Sequence, residues 1–155
     1  MAIDQIELMN EVFDVLDETF EHHHGIFLDK GTSLLETLRG IDHQQASVPV
    51  GGRCASLAAQ VAHVTFYLEV LERYLVAGDE SKADWEEVWR TVGSVTPEEW
   101  DALRANLEVT YRRLVAELRA AETWDAEPQL ASALAITVHT AYHLGEIRQA
   151  LCTIE

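Results

Sequence analysis

The spacing of the apolar residues constrains this chain more than any other feature of its sequence. Apolar side chains recur at intervals of three and four residues, which is the period of an α-helix. One run shows this period clearly: Leu57, Val61, Val64, Leu68, Leu71 and Leu75. The alternation typical of strands is almost missing, and Leu, Ala and Glu, which favour helices, dominate the composition. The sequence therefore predicts an all-helical fold.

Capping signals divide the first half of the chain into helical stretches. The first begins at the capping box Asp4-Gln5-Ile6-Glu7 and ends near His24-Gly25. A further piece runs from Ser33, with Glu36 as its box partner, to Gly40. Residues 4–40 thus form either one bent helix or two helices. The next long helix lies between Ser56 and Gly78, because the glycine is a typical C-terminal stop.

The second half of the chain contains two more long helices and one short one. Thr96-Pro97-Glu98-Glu99 combines an N-cap, a proline at the first helical position and two acids, and predicts a helix over about 97–122. Asp125 is the expected cap of the last helix, over about 128–152. The long segment 79–95 contains four apolar residues at helical spacing. We expect them to form a short helix that caps the core, with the tryptophans packed into it: Trp85, Val88, Trp89 and Val92.

Four long amphipathic helices without strands predict a four-helix bundle with a long crossover between helices two and three. Because 155 residues suit one hydrophobic core, we expect a single domain over residues 1–155. In simple up-down connectivity, helices two and four would run parallel. His63 and the later histidines would then meet only if these helices were staggered by a turn or two.

The composition and the N-terminal sequence limit the partners and the cellular compartment that we expect. The chain has 11 Lys and Arg against 27 Asp and Glu, a formal net charge of −16 that repels nucleic acid and anionic lipid surfaces. The N-terminal residues lack the pattern of a signal peptide, and no apolar run reaches membrane-spanning length, so we expect a cytoplasmic protein. Cys54 and Cys152 are too few for a disulfide framework.

Three of the seven histidines have the pattern of a metal site. His139 and His143 are four residues apart on a predicted helix, so both rings project from one face and can reach one ion. His63 lies within the apolar arc of the second long helix. We therefore expect all three rings to point inward. Three unrelated core histidines, each with its own hydrogen-bond partners, would explain the same pattern. Both interpretations stand on spacing alone.

His22, His23 and His24 form a separate run in the sequence. Adjacent histidines can trap metal at a surface, and we expect this run at a helix end near the mouth of the bundle. One of its rings could then line the pocket.

Two motifs resemble a known family. The stretch from Ser56 to Val64 carries His63, and the run His139-Thr140-Ala141-Tyr142-His143-Leu144-Gly145-Glu146-Ile147 carries the pair. Together they resemble the metal-binding pattern of the DinB/YfiT-like metalloenzyme superfamily, in order and approximate spacing over most of the chain. The resemblance implies a four-helix bundle, commonly dimeric, that binds zinc, nickel or another divalent ion through His63, His139 and His143. It also implies an activity with a low-molecular-weight thiol, as some members use bacillithiol or mycothiol.

The predicted ligand set bears on function, because three protein ligands leave a coordination position open. That position suits a metal-dependent transferase or hydrolase acting on a small molecule, and the resemblance favours the thiol transferase. The alternative is a non-catalytic metal-dependent sensor or stress-related binding module. Four side chains are candidates for orienting ligands or relaying protons, with Glu146 the best placed: Tyr67, Glu69, Tyr142 and Glu146. Glu146 stands where many members of the family carry glutamine.

Overall fold

The structure, a computed structural model, describes residues 4–52, 54–121, 124 and 129–154. Strand-type pairing within these residues is limited to one bridge, between Pro49 and Ser56. The all-helical prediction is confirmed, with a short 3-10 turn at Val50–Gly52 and seven α-helices: α1 (Gln5–Phe20), α2 (Leu34–Arg39), α3 (His43–Ser47), α4 (Leu57–Ala77), α5 (Glu87–Thr91), α6 (Pro97–Ala120) and α7 (Gln129–Leu151).

The caps predicted for the long helices explain where they begin and end. The Ser56 side chain accepts the backbone N–H of Ala59 at the start of α4, and Gly78 ends that helix in the left-handed conformation. Thr96 and Glu99 form a reciprocal capping box at the start of α6. The last helix closely matches its predicted range, but its expected cap, Asp125, lies outside the described residues.

Residues 4–40 form two helices and not one bent helix, and α1 ends earlier than predicted. The backbone N–H groups of Glu21 and His22 both bond to the carbonyl of Asp17, which closes the helix after Phe20. The carboxylate of Glu18 then accepts four backbone N–H groups from residues 24, 26, 27 and 28. These bonds provide an acceptor for the backbone N–H groups of a loop, where the sequence pattern predicted another helical turn. The short helix α3 was not predicted.

The directions of the long helices differ from simple up-down connectivity. Gln60 bonds to His143 and Tyr67 stacks on His139, so α4 and α7 are antiparallel. Hydrogen bonds link residue 69 of α4 to residue 106 of α6, and residue 72 to residue 113, so these two helices are parallel. The expected parallel course of helices two and four, and the stagger it required, are therefore wrong.

Helix α1 completes the core in the opposite direction to α6. Phe13 contacts the guanidinium of Arg119, and Phe20 stacks on Tyr111 with ring centroids 4.0 Å apart. Helix α1 also packs against α7. Thus α1 and α7 run one way while α4 and α6 run the other, and residues 78–96 must return along the length of the molecule. This topology explains why the crossover is long.

The four long helices enclose one core of buried side chains. The indole N–H of Trp100, at the start of α6, donates a hydrogen bond of 2.8 Å to the carbonyl of Ile41. This bond fixes the loop before α3 to the third long helix, with both residues buried. None of the helices in the described residues is both long and apolar enough to cross a membrane.

The tryptophans of the crossover are not core residues, and that prediction was wrong. Trp85 is 41% exposed and Trp89 37% exposed. Trp85 contacts the rings of Phe66 and Tyr67, whereas Trp89 stacks on His63. The short helix α5 therefore covers the face of α4 that carries the candidate site.

Candidate metal centre

His63, His139 and His143 converge on one point between α4 and α7. One ring nitrogen from each lies within 4.8 Å of the other two, and the Nε2 atoms of His63 and His139 are 3.2 Å apart. His63 and His143 are buried, and His139 is half-buried, so the rings face inward as expected. The antiparallel course of the two helices brings residue 63 opposite residues 139 and 143 without any stagger.

The orientation of His143 is set by two hydrogen-bond acceptors. Its Nδ1 lies 2.6 Å from Oε1 of Gln60 and 2.9 Å from Oε2 of Glu146. Because both oxygens accept, Nδ1 carries the proton and donates it, which leaves the lone pair of Nε2 free. A neutral imidazole held in this tautomer by a carboxylate is the usual arrangement of a metal ligand.

His63 and His139 are held by aromatic rings instead. Trp89 stacks on His63 with ring centroids 4.3 Å apart, and Tyr67 stacks on His139 at 3.7 Å. The Nδ1 atoms of both histidines are buried with no hydrogen-bond partner among the described residues. Stacking therefore helps to fix these two rings, and their Nε2 atoms face each other within hydrogen-bond distance.

Burial keeps the three imidazoles neutral. Desolvation, reinforced by the neighbouring histidines, lowers the pKa of His63 and of His139 to about 4. Desolvation also lowers the pKa of His143, although the nearby carboxylate of Glu146 acts in the opposite direction. Neutral imidazole is the form that binds a metal ion, so these nitrogens are available at neutral pH.

The three histidines could hold a metal ion, and their donor set limits its identity. Imidazole nitrogens suit zinc, nickel, copper and iron, while magnesium and calcium prefer oxygen ligands. Three protein ligands leave at least one coordination position for water or another small molecule. If an ion is bound, it would link α4 to α7 and leave that position for a small ligand.

The structure brings some of the predicted supporting residues to the histidines and not others. Glu146 contacts His143 and Tyr67 contacts His139, as described above. Tyr142 is 63% exposed, with its ring centroid 5.1 Å from that of His143, and interaction with Glu146 raises its pKa. Glu69 bonds to Asn106 on α6, so this carboxylate is engaged away from the three histidines.

One residue of the site, Gln60, was not named from the sequence, and another, Trp89, was assigned to the core. Gln60 precedes His63 by three positions, which is one helical turn, and this spacing could have placed it beside the site. Trp89 had no such signal. It reaches His63 through the course of the crossover, which no local pattern specifies.

A cavity of about 500 Å³ borders the two side chains that hold His143. Gln60, Glu146, Tyr142 and Cys54 are among the residues that line it, and its other walls combine apolar residues with Gln149 and Thr153. Cys54 is exposed and free, as is Cys152. The cavity has the size of a small-molecule site, and it reaches the histidines only through the two side chains that bond to His143, since none of the three rings lines it.

The histidine run after α1 lies at a helix end, as expected, but its described contacts are elsewhere. His22 and His24 both approach the carboxylate of Asp17, at 3.2 and 2.6 Å. None of His22, His23 and His24 lines the cavity beside Glu146. The expectation that one ring lines that pocket is therefore wrong.

Comparison with known proteins does not assign the chain to a family. The sequence matches no family model, no curated protein and no solved structure. Family membership consequently rests on the two histidine motifs and stays a proposal.

Proposed function

We propose that this chain is a DinB/YfiT-like four-helix bundle that binds a divalent ion, zinc or nickel, through His63, His139 and His143. The observation that carries this proposal is the convergence of three neutral, inward-facing imidazoles from two antiparallel helices. The long crossover between α4 and α6, which is part of the resemblance, supports the same assignment.

We propose further that the protein is a thiol-dependent transferase acting on a small molecule. A divalent ion in the site would stabilise a thiolate at neutral pH. In the transfer, the thiol loses its proton to solvent and its sulfur forms a bond to the electrophilic atom. The leaving group departs with the electron pair of its broken bond. The cavity beside Gln60 and Glu146 offers space for one of the two reactants.

The second candidate is a non-catalytic, metal-dependent sensor or binding module. One observation favours it: Glu146 contacts the site through His143 alone, and its carboxylate is engaged by that ring. Within the described residues, no other carboxylate is hydrogen-bonded to the three rings. In this alternative, the ion only ties α4 to α7, and its loss loosens that pair of helices.

A thiol-transfer assay separates the two candidates. The zinc-loaded or nickel-loaded protein is mixed with a panel of low-molecular-weight thiols and an electrophilic aryl halide, and thioether formation is followed. The transferase proposal expects a rate above the uncatalysed reaction that H139A abolishes and H43A retains, since His43 lies outside the site. A metal-loaded protein with no rate above background for any thiol would contradict the transferase and favour the sensor.

We also propose that the protein is a homodimer, and that α7 supplies the interface. The helix carries no Asp, Glu, Lys or Arg between Gln129 and Gly145, in a chain whose formal net charge is −16. Leu134, Val138 and Tyr142 are spaced by four residues and are 49%, 68% and 63% exposed. An uncharged apolar stripe on a highly charged surface suits a second copy with the same stripe.

A further inference from the structure

Residues 80–91, the part of the crossover that contains α5, form no hydrogen bond to the bundle within the described part of the chain. Their hydrogen bonds all join residues between 79 and 92 to each other. The guanidinium of Arg90, for example, donates to the carboxylate of Asp84 at 2.6 Å. The segment is therefore a unit that is hydrogen-bonded only to itself.

The segment is also held by little buried surface. None of residues 78–96 is buried. Trp85 and Trp89 are its two largest side chains, and both remain more than one-third exposed. A segment with few buried apolar contacts opens at a lower cost in free energy than the core of the same fold.

Both ends of the segment are fixed to the bundle. On one side, the backbone N–H of Asp79 donates to a carbonyl in the last turn of α4. On the other side, the carbonyl of Gly93 accepts the hydroxyl of Ser56 at 3.2 Å. The N–H of Val95 also donates to the hydroxyl of Ser47 at 2.9 Å. A segment that is tethered at both ends and bonded only to itself between them has the construction of a lid.

The two indole rings hold this segment against the three-histidine centre. Trp89 stacks on His63 with ring centroids 4.3 Å apart. The ring of Trp85 lies 5.8 Å from that of Tyr67, which itself stacks on His139 at 3.7 Å. His63 is only 8% exposed, and the indole of Trp89 covers one face of its ring. Two of the three candidate ligands therefore lie beneath the segment, one directly and one through Tyr67.

We propose that residues 80–91 form a lid, held closed by Trp85 and Trp89, whose opening controls how fast a metal ion enters and leaves the three-histidine centre. The proposal rests on the metal site proposed above and adds the regulation of access to it. Because the lid closes over the empty and the occupied centre alike, weakening it speeds uptake and release together and leaves Kd nearly unchanged. A side chain that only supports the ligands acts differently, since its loss speeds release and raises Kd.

Trp85 allows the lid to be weakened without removing a contact to a ligand, because its ring contacts Phe66 and Tyr67 and not the histidines. Zinc uptake by the metal-free protein and zinc release to excess EDTA are each followed by stopped flow. We expect W85A to raise both rates about tenfold and to leave Kd within about twofold of the wild type. V109A, at an exposed valine of α6, is the control and should keep both rates. Unchanged rates in W85A, or faster release without faster uptake, would overturn the lid.

A second measurement needs no bound ion, so a failure of the lid can be distinguished from a failure of the metal centre. Diethyl pyrocarbonate modifies accessible imidazoles, and mass spectrometry gives the rate for each histidine of the metal-free protein. We expect His63 to react about tenfold faster in W85A than in the wild type. His43, which is half-buried and lies outside the site, should react at the same rate in both. Equal rates at His63 would contradict the lid, whether or not the protein binds metal.

Discussion

The Nε2 atoms of His63 and His139 lie 3.2 Å apart, although the two residues are 76 positions apart in the sequence. Both rings are largely withdrawn from water and neutral, and burying two imidazoles without full hydrogen bonding costs free energy. A metal ion at this point would offset that cost by binding both lone pairs. The proposed function therefore depends mainly on the short distance between these two nitrogen atoms.

The first prediction concerns the carboxylate that orients His143. Replacing Glu146 by Ala removes one acceptor from Nδ1 of that ring. We expect the affinity for zinc to fall by about 10- to 100-fold, measured by competition with a chromophoric chelator. E146Q should retain most of the affinity, because its amide oxygen can still accept the hydrogen bond.

The matched control for this variant is E69A. Glu69 is also a carboxylate on a bundle helix, but it bonds to Asn106 away from the histidines. E69A should bind zinc as the wild type does. Wild-type affinity in E146A would show that Glu146 does not support the centre.

The second prediction uses the stacking of Trp89 on His63 as an optical probe. The ring centroids are 4.3 Å apart, so a nickel or cobalt ion bound to His63 should quench the fluorescence of this indole. We expect the metal ion to quench the fluorescence of the wild type. In W89F we expect most of this quenching to be lost. W85F is the control, since Trp85 contacts Phe66 and Tyr67 instead. Identical quenching in W89F and the wild type would place the ion elsewhere.

The third prediction concerns the buried carboxylate of Glu18. Burial opposes its ionisation, but the backbone N–H groups of four loop residues outweigh that effect and lower its pKa from 4.5 to about 2. E18Q leaves several of these donors without a strong acceptor. We expect a loss of about 3 kcal/mol in the free energy of unfolding, measured by urea denaturation. E11Q, on the exposed face of α1, should change it little.

The pH dependence of this effect has a definite sign. Because the pKa of Glu18 is lower in the folded state, its contribution is complete above pH 4.5 and is lost as the pH falls towards 2. The difference in stability between the wild type and E18Q should therefore shrink over that interval. A difference that stays constant from pH 5 to pH 2.5 would contradict the role of the charge.

The fourth prediction tests the apolar stripe of α7. V138E introduces a charge at a residue that is 68% exposed and central to the proposed dimer interface. We expect the dimer to dissociate about tenfold more readily, measured by sedimentation velocity. V109E, at a 58% exposed valine of α6, should leave the dimer intact. A wild type that is monomeric at all concentrations would refute the interface.

Interactions between residues that are close in the sequence made much of the fold predictable. Apolar spacing located α4, α6 and α7 closely, and the predicted caps located the ends of α4 and the start of α6, because the residues that start and stop a helix act within a few positions. The same period placed His139 and His143 on one face. The role of Gln60 was also within reach, since it lies one turn from His63.

The parts that could not be predicted depend on long-range packing. No pattern of neighbouring residues specifies that α4 and α7 are antiparallel, and the assumption of up-down connectivity predicted that they are parallel. The early end of α1 depends on the buried carboxylate of Glu18, whose four acceptor contacts exist only once the loop has folded back. Trp85 and Trp89 have a core-like spacing but cover a site on α4, because the crossover passes over it.

The metal content of the histidine variants tests the central claim most directly. Tag-free protein is loaded with zinc or nickel, dialysed against a weak chelator to strip exposed sites, and examined by elemental analysis. We predict about one ion per chain in the wild type and in H43A, and almost none in H63A, H139A or H143A. A wild type that retains no ion under these conditions, or an H139A variant that retains as much as the wild type, would contradict the three-histidine centre.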